Sequence, residues 1–521
     1  MTDKGIGLEK TWPSELLTRH RNLPVKKVND FEFILQKDHV RGIEIPVRIF
    51  ADDALISLMA FDRTIEQAAN VTTLPGVVGH VAVLPDGHEG YGFPVGGVAA
   101  VDLNSRQEEK KFTGGVISPG GVGYDINCGV RLIRTSLMEK DIKAKIPELI
   151  SALFEAIPSG LGSRGRIRLS ESELNLILVE GMQWAVRNGY GWLDKDLDAC
   201  EENGCVEGAD TSKVSDIAKR RGTPQLGSLG SGNHFLEIQK VEKVFNEEAA
   251  IAMGILGEGQ IMVLIHCGSR GFGHQVCSDY LRVSEMALRK YDIKIPDREL
   301  ACVPYYSPEG VDYVKGMKCA LNFAWANRQL ITHWTRKTFE KILKLGEGDL
   351  DMQLVYDVAH NIVKIEQHKI KKFYDKIPSL STQNLIVHRK GATRAFPKGS
   401  EGIPTMYRRI GQPVIIPGSM GTASWLLVGG PNSMDLTFGS TAHGAGRTMS
   451  RAAAKRKYPS YEMVKNELES KGIYIKSLTR QGILEEVPAA YKDVDTIATI
   501  SHNLGIATKV ARLVPLGVIK G

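Results

Sequence analysis

No apolar run in this chain approaches the about 18 residues that a membrane-spanning helix needs, so no transmembrane span is placed. The opening MTDKGIGLEK is polar and carries no signal-like apolar stretch. Cysteine is sparse: seven residues, an odd number, scattered without paired spacing. That argues against a disulfide framework and for a reducing cytoplasm. Cys200 and Cys205 have no matching second pair, so no zinc site is assigned to them. The common phosphate-binding signatures are absent as well. There is no Walker A motif, and Gly227, Gly230 and Gly232 do not make G-x-G-x-x-G. The K-x-D-G of lysine-dependent nucleotidyl transferases is also missing. No internal repeat, linker or low-complexity tract divides the chain.

What is present suits a globular enzyme. Hydrophobic content of 42% and charge of 24% are ordinary, and 521 residues do not limit the core. The net charge of +6 and pI near 8.7 permit a polyanionic partner without proving one. The 54 glycines cluster in short loops, which suggests many close approaches of backbone to ligand.

Alternation over residues 43–50 predicts a strand, and residues 54–69 read as a helix. Asp86 and His88 stand just past a strand, where either a catalytic group or a turn residue is at home. Helices are expected over 146–157 and 171–186, the second opened by Ser170 and Glu173 at capping-box spacing. A long helical region broken by proline loops spans 278–345, and its His333 reads as structural. Residues 387–394 (VHRKGATR) read as a basic turn suited to a phosphate backbone. Elements interleave irregularly, which predicts an α+β chain: one large mixed α/β catalytic domain. Surface insertions are expected near 104–111, 190–220 and 280–350. The acidic run 194–208 has no reading of its own.

The organising stretch is 114–131, GGVISPGGVGYDINCGVR. It sets Asp125 and Cys128 among glycines, ahead of a strand over 130–137. Alone, D-x-x-C is a buried cysteine beside a turn aspartate. Three histidines change that reading. His234, His266 and His360 each follow a strand or sit in a glycine turn. Five such ligands exceed one tetrahedral ion with an open position and suit two ions sharing the thiolate. Mixed O, N and S donors leave Zn, Fe, Co and Mn open. Arg270 can grip a phosphate with two donors. His443 is placed at the start of a helix carrying Arg447 and Arg451 on one face, an anion site.

These blocks resemble a known family. GGVISPGGVGYDINCGVR, SGNHFLEIQ, HCGSRGFGH, DVAHNIVKIE, PGSMGTAS and STAHGAGR are similar, in the same order, to those of the RtcB family of RNA-splicing ligases. The similarity runs from PDGHEGYGFPVGG to Lys520-Gly521. Trp425 departs from it, where a smaller aromatic is expected.

The resemblance implies an RtcB-type fold with a central dinuclear metal and nucleotide pocket. It implies a GTP- and manganese-dependent ligase joining RNA 2′,3′-cyclic phosphate or 3′-phosphate ends to 5′-hydroxyl ends. His443 becomes the guanylylated nucleophile, with Asp86 orienting it. Asp125, Cys128 and His234 would hold one Mn2+, and Cys128, His266 and His360 the other. The guanylate site carries over onto Asn233, His234, Phe235, Leu236, Glu237, His360, Asn361, Pro417, Gly418, Ser419, Met420, Ser424, His443, Gly444, Ala445, Gly446, Tyr491 and Lys520. Arg270, Arg447 and Arg451 would face RNA phosphate. RNA with broken ends, tRNA halves among them, is the implied partner, and an archease-type protein the candidate activator. Two rivals stand beside this reading: a two-metal phosphodiesterase that only hydrolyses, and a noncatalytic RNA-binding protein. The hydrolase would share the metal ligands but would not need His443, Tyr491 or Lys520.

Overall fold

The computed structural model describes residues 16–36, 43–105, 112–374 and 377–521. Most of the expected hairpin tip at 104–111 therefore lies outside the described residues. The chain adopts the mixed α/β class expected for it, built on two large sheets. The first runs, in spatial order, Leu16–Leu17, Pro24–Asn29, Glu32–Leu35, Val47–Phe50, Val77–His88, Val95–Asp102, Ile377–Lys390 and Asn361–Tyr374. Its neighbours are antiparallel except Val47–Phe50 beside Val77–His88. The second runs Gln353–Ala359, Gly129–Met138, Gln260–Cys267, Phe235–Val244, Ala507–Lys520, Ser424–Gly429 and Pro413–Ile416, all antiparallel. Tyr474–Ser477 lies parallel to Ala507–Lys520.

The strand Gln260–Cys267 shows why the second sheet forms. Every residue of it is buried, and successive side chains alternate between two cores. Ile261, Val263 and Ile265 join the core under the long helix, whereas Met262 and Leu264 join the core on the opposite face. A period of two with both faces covered leaves a continuous apolar strand.

Antiparallel pairing then collects strand ends at one edge. Gly129 stands opposite both Cys267 and Ala359, and Phe235 opposite both His266 and Lys520. His360 is the single residue between Gln353–Ala359 of the second sheet and Asn361–Tyr374 of the first. The two sheets therefore meet where the candidate ligands were expected.

Several elements differ from expectation. Residues 54–69 form two helices, Asp53–Phe61 and Thr64–Val71, because Asp62 accepts the Thr64 N–H at 2.8 Å and restarts the helix. Residues 171–186 likewise split into Glu171–Glu180 and Met182–Arg187. Gly181 at the break has φ +56°, and a Cβ there would meet the Gly204 carbonyl at 2.4 Å. The capping box of Ser170 and Glu173 is present. The basic turn at 387–394 is strand instead. Arg389 is buried on Glu366, and Arg394 is buried with ion-pair contacts to Glu201 and Glu202.

Residues 280–350, expected as a surface insertion, contain the helix Pro308–Leu343, buried throughout 319–332. Its middle carries Asn322, Asn327, Arg328, Gln329 and Thr332, polar residues that look solvent-facing in sequence. Each has partners inside the protein, which is what permits burial. The acidic segment supplies some of them. Asp196 forks onto Arg336 with two bonds of 2.7 Å, and Glu201 accepts the Ala359 N–H at 2.9 Å. No helix among the described residues is long and apolar enough to cross a membrane.

Candidate active site

The loop carrying Asp125 and Cys128 is held by main-chain and side-chain bonds on two sides. Asn127 takes φ +53°, and its amide N–H donates to the Asn361 carbonyl at 2.8 Å. Asn361 Nδ2 donates back to the Asp125 carbonyl at 2.9 Å, and the His360 N–H to the Cys128 carbonyl at 2.7 Å. From the other side comes Arg328 of the long helix. Its guanidinium donates to the carbonyls of Asn127 and Cys267, to Asn127 Oδ1 and, in a fork, to Asp357. A buried arginine thus fixes the loop that presents Cys128 and the end of the strand that presents His266.

Five donors gather there. Asp125, Cys128 and His234 form one group and Cys128, His266 and His360 another, with the ligand atoms of each group within 4.8 Å of one another. Cys128 Sγ lies 3.2 Å from His266 Nε2 and 3.6 Å from His234 Nε2. His234 Nε2 is 2.8 Å from Asp125 Oδ2. His360 is fully buried, yet neither ring nitrogen has a hydrogen-bond partner among the described residues, and His266 Nδ1 is unpartnered there too. Burial drives both imidazoles toward the neutral form, the one that ligates a cation. Burial likewise pushes the Cys128 thiol up to about 11, with Asp125 adding to the effect. Orphaned buried nitrogens beside a buried thiol are costly unless something occupies the space between them. The residues present therefore fit a pair of cations sharing one sulfur.

His443 follows the short strand Ser440–Ala442 and faces the same space, its ring centroid 5.4 Å from that of His360. Asp86 Oδ2 accepts from the His443 amide at 2.9 Å and from Nδ1 at 2.5 Å. His443 Nε2 has no hydrogen bond among the described residues. Asp86 is not past its strand but inside Val77–His88, fully buried. Lys492 donates to the carbonyls of Pro85 and Gly87 on either side of it, and burial lowers this lysine to about 8. Gly446, at φ +68°, lets the His443 loop pass within contact of the Asp86 backbone, where a Cβ would sit 2.2 Å from the carbonyl.

A cavity of about 250 Å³ joins these groups. Cys128, His266 and His360 line one part of it, with Asn233, Phe235 and Asn361. Pro417, Gly418, Ser419, His443, Gly444, Ala445, Gly446, Tyr491 and Lys520 line another part. Asp125, His234 and Asp86 stand behind that wall. Leu236 and Met420 do not line it; both side chains are fully buried in hydrophobic clusters. Ser424 acts from beneath, accepting from the Gly418 amide at 3.3 Å and from Gln239 Nε2 at 3.0 Å. Gln239 in turn donates to Glu237, whose other carboxyl oxygen is buried and has no partner among the described residues. Burial pushes Glu237 up to about 8. The buried Lys520 ammonium lies 5.3 Å from the Phe235 ring centroid and makes no hydrogen bond among the described residues.

The expected helix from His443 is absent. Residues 443–450 are loop, and the next helix, Arg451–Lys457, starts only where the Ser450 side chain caps it. Arg447 and Arg451 still line the cavity, but both rest on Glu486, at 3.1 and 2.8 Å. Glu486 also accepts from Tyr491, and the Arg447 guanidinium lies 5.0 Å from the Tyr491 ring centroid. Arg270 is outside the cavity lining. It is buried and donates to Ser228, Ser163 and the Gly160 carbonyl.

Sequence reasoning missed Tyr124, Glu486 and Arg328. Lys390, expected only as part of the basic turn 387–394, is instead the last residue of the strand Ile377–Lys390 and lines the cavity. Nothing local marks Glu486 or Arg328.

Comparison with known proteins agrees with this architecture. A family model described as tRNA-splicing ligase RtcB matches residues 67–521. A protein of that name from Thermococcus kodakarensis is 54% identical over 499 residues, covering 96% of this chain and 99% of the relative. The namesakes from Archaeoglobus fulgidus and Pyrobaculum aerophilum are 52% and 50% identical, over 95% and 96% of this chain and 99% and 100% of their own lengths. With its strand ends gathered on one set of donors and its sequence matched nearly end to end, this chain belongs to the RtcB family of tRNA-splicing ligases.

Proposed function

We propose that this chain is an RNA ligase that uses GTP and two Mn2+ ions to join RNA 3′-phosphate or 2′,3′-cyclic phosphate ends to 5′-hydroxyl ends, as in tRNA splicing. The observation that carries the reading is His443. It is held at Nδ1 by a buried carboxylate, free at Nε2, and shares one cavity with Cys128, His266 and His360.

The chemistry explains why a nucleophile is needed. A 3′-phosphate monoester resists attack by a 5′-hydroxyl, because oxide is a poor leaving group. Attaching GMP to it turns the leaving group into GMP. With its Nδ1 proton given to Asp86, His443 offers the Nε2 lone pair to the α-phosphorus of GTP and expels pyrophosphate. The RNA 3′-phosphate then attacks the guanylyl phosphorus, His443 departs, and RNA-3′-pp-5′-G results. The 5′-hydroxyl attacks the RNA phosphorus and GMP leaves. A cyclic end is first opened by water to the 3′-phosphate.

Asp125, Cys128 and His234 would hold one cation and Cys128, His266 and His360 the other. When bound, the cations supply charge neutralisation at phosphate oxygens. Tyr491 offers its ring to guanine, and Lys520 with Glu237 its polar edge. Arg447 and Arg451, kept in place by Glu486, face the phosphates. An archease-type activator belongs to the same proposal.

Incubation with α-labelled GTP and manganese tests it. A ligase acquires label on His443 that is labile in acid and stable in base; a hydrolase or a binding protein acquires none.

A further inference from the structure

The cavity holds the reacting groups, and the RNA chain that leads away from each joined end runs over the surface around it. Three aromatic rings from three separate segments stand at its mouth. Tyr124, the residue before Asp125, lines the cavity and is partly exposed. His274 of the helix Arg270–Lys290 is exposed and stacks on Tyr124, with centroids 5.3 Å apart and planes at 22°. Tyr91, also partly exposed, meets Tyr124 edge-on at 5.5 Å and 64°. The Lys390 ammonium lies 6.0 Å from the Tyr91 ring centroid and donates to the carbonyls of Tyr91 and Phe93. Of the carboxylates near these rings, Glu299 is engaged by the Gly92 amide at 2.8 Å and Asp125 by His234.

We infer that Tyr91, Tyr124 and His274 form a stacking shelf for an unstacked nucleobase of the RNA end being joined, a role that rests on the proposed ligase reading. Planar rings left at the surface gain little from burial, but they bind the π-face of any base. The adjoining Lys390 is buried and donates to the carbonyls of Tyr91 and Phe93, so it holds the Tyr91 segment in place beneath the shelf. The position next to Asp125 puts the seated nucleotide beside the candidate cation pair. Stacking is tolerant of base identity, as joining of varied broken ends requires.

Two short fluorescein-labelled RNAs, one with a 5′-hydroxyl end and one with a 3′-phosphate end, serve as probes in anisotropy titrations of the full chain. Each is made with a normal and with an abasic terminal nucleotide. Tyr124→Leu and His274→Ala should each weaken binding of one probe about five- to hundredfold, and His274→Phe should restore it. The abasic change should cost the unaltered protein the same factor and cost the variants nothing further. The probe that shows this coupling identifies the end seated on the shelf. Full affinity in both variants, or losses that multiply independently with both probes, overturns the shelf. His274 is exposed, so its variants keep the test usable if Tyr124→Leu does not fold. The titration contains no GTP, so failure of His443 to take up label would sink the ligase reading without deciding this one.

Discussion

Asp86 accepts two hydrogen bonds from His443, one from its backbone amide and one from its ring Nδ1. The pair fixes both where the imidazole stands and which nitrogen is free. Asp86→Asn keeps the shape and one accepting oxygen but removes the negative charge that stabilises the imidazole as it becomes cationic on attack. Single-turnover uptake of labelled GMP should fall about 10²–10⁴-fold, the range for a lost acid–base partner. RNA already carrying 3′-pp-5′-G should still be sealed, since it bypasses the histidine. Equal loss in both assays would remove the orienting role.

Cys128 is the one donor common to both candidate cation groups. Cys128→Ala should therefore cost most of the bound manganese, measured by elemental analysis after desalting, and all joining. Circular dichroism should remain native, because Arg328 and Asn361 hold the loop backbone independently of the sulfur. Unchanged metal stoichiometry would exclude a bridging thiolate.

Arg328 carries five hydrogen bonds to groups that cannot find water. Arg328→Met leaves Asp357 to Arg131 alone and strips two buried carbonyls of a donor. A loss of about 3–5 kcal/mol is expected in urea unfolding. Manganese affinity should fall with it, since the Cys128 loop and the strand end at His266 lose their common clamp. A stable variant with full metal affinity would refute the clamp.

Glu237 makes stability depend on pH. Burial raises its folded pKa to about 8, against 4.5 for the ordinary group. Between those values the folded chain keeps a proton that the unfolded chain has released. Stability from this group therefore falls as pH rises from about 5 to 8. Glu237→Gln should flatten that part of the profile, read as urea midpoints across the range. An unchanged slope would mean the carboxyl is ionised in the fold.

Lys520 and Tyr491 should set nucleotide preference. A charge-assisted contact contributes about 1.5–3 kcal/mol and ring stacking about 0.5–1.5 kcal/mol. Lys520→Met should weaken GTP use about ten- to hundredfold and narrow its advantage over ATP. Tyr491→Leu should weaken both nucleotides alike. Retained GTP selectivity in Lys520→Met would displace lysine from the guanine edge.

Much of the candidate donor set was legible because its signal is local. Asp125, Cys128, His234, His266 and His360 all sit at strand ends or glycine turns, and each such end can be read within a few residues. The absence of a helix from His443 was not, because Gly446 serves a close approach to the Asp86 backbone rather than a helix start. The long helix Pro308–Leu343 looked peripheral for a similar reason. Asn327, Arg328 and Gln329 are polar in sequence, and only their distant partners make them core residues.

By itself, then, the sequence determined the mixed α/β class, the family and the residue types of the donor set. These follow from periodicity, from glycine turns and from motif order, all of which act over short stretches of chain. The tertiary structure decided the rest. It put five donors within reach by antiparallel pairing, which brings strand starts and ends to one edge. It turned Arg447 and Arg451 toward Glu486, a residue with no local mark. It withdrew Arg270, Leu236 and Met420 from the cavity wall. Each of these outcomes depends on which distant group satisfies a buried charge or fills a space, and no local stretch of sequence encodes that choice.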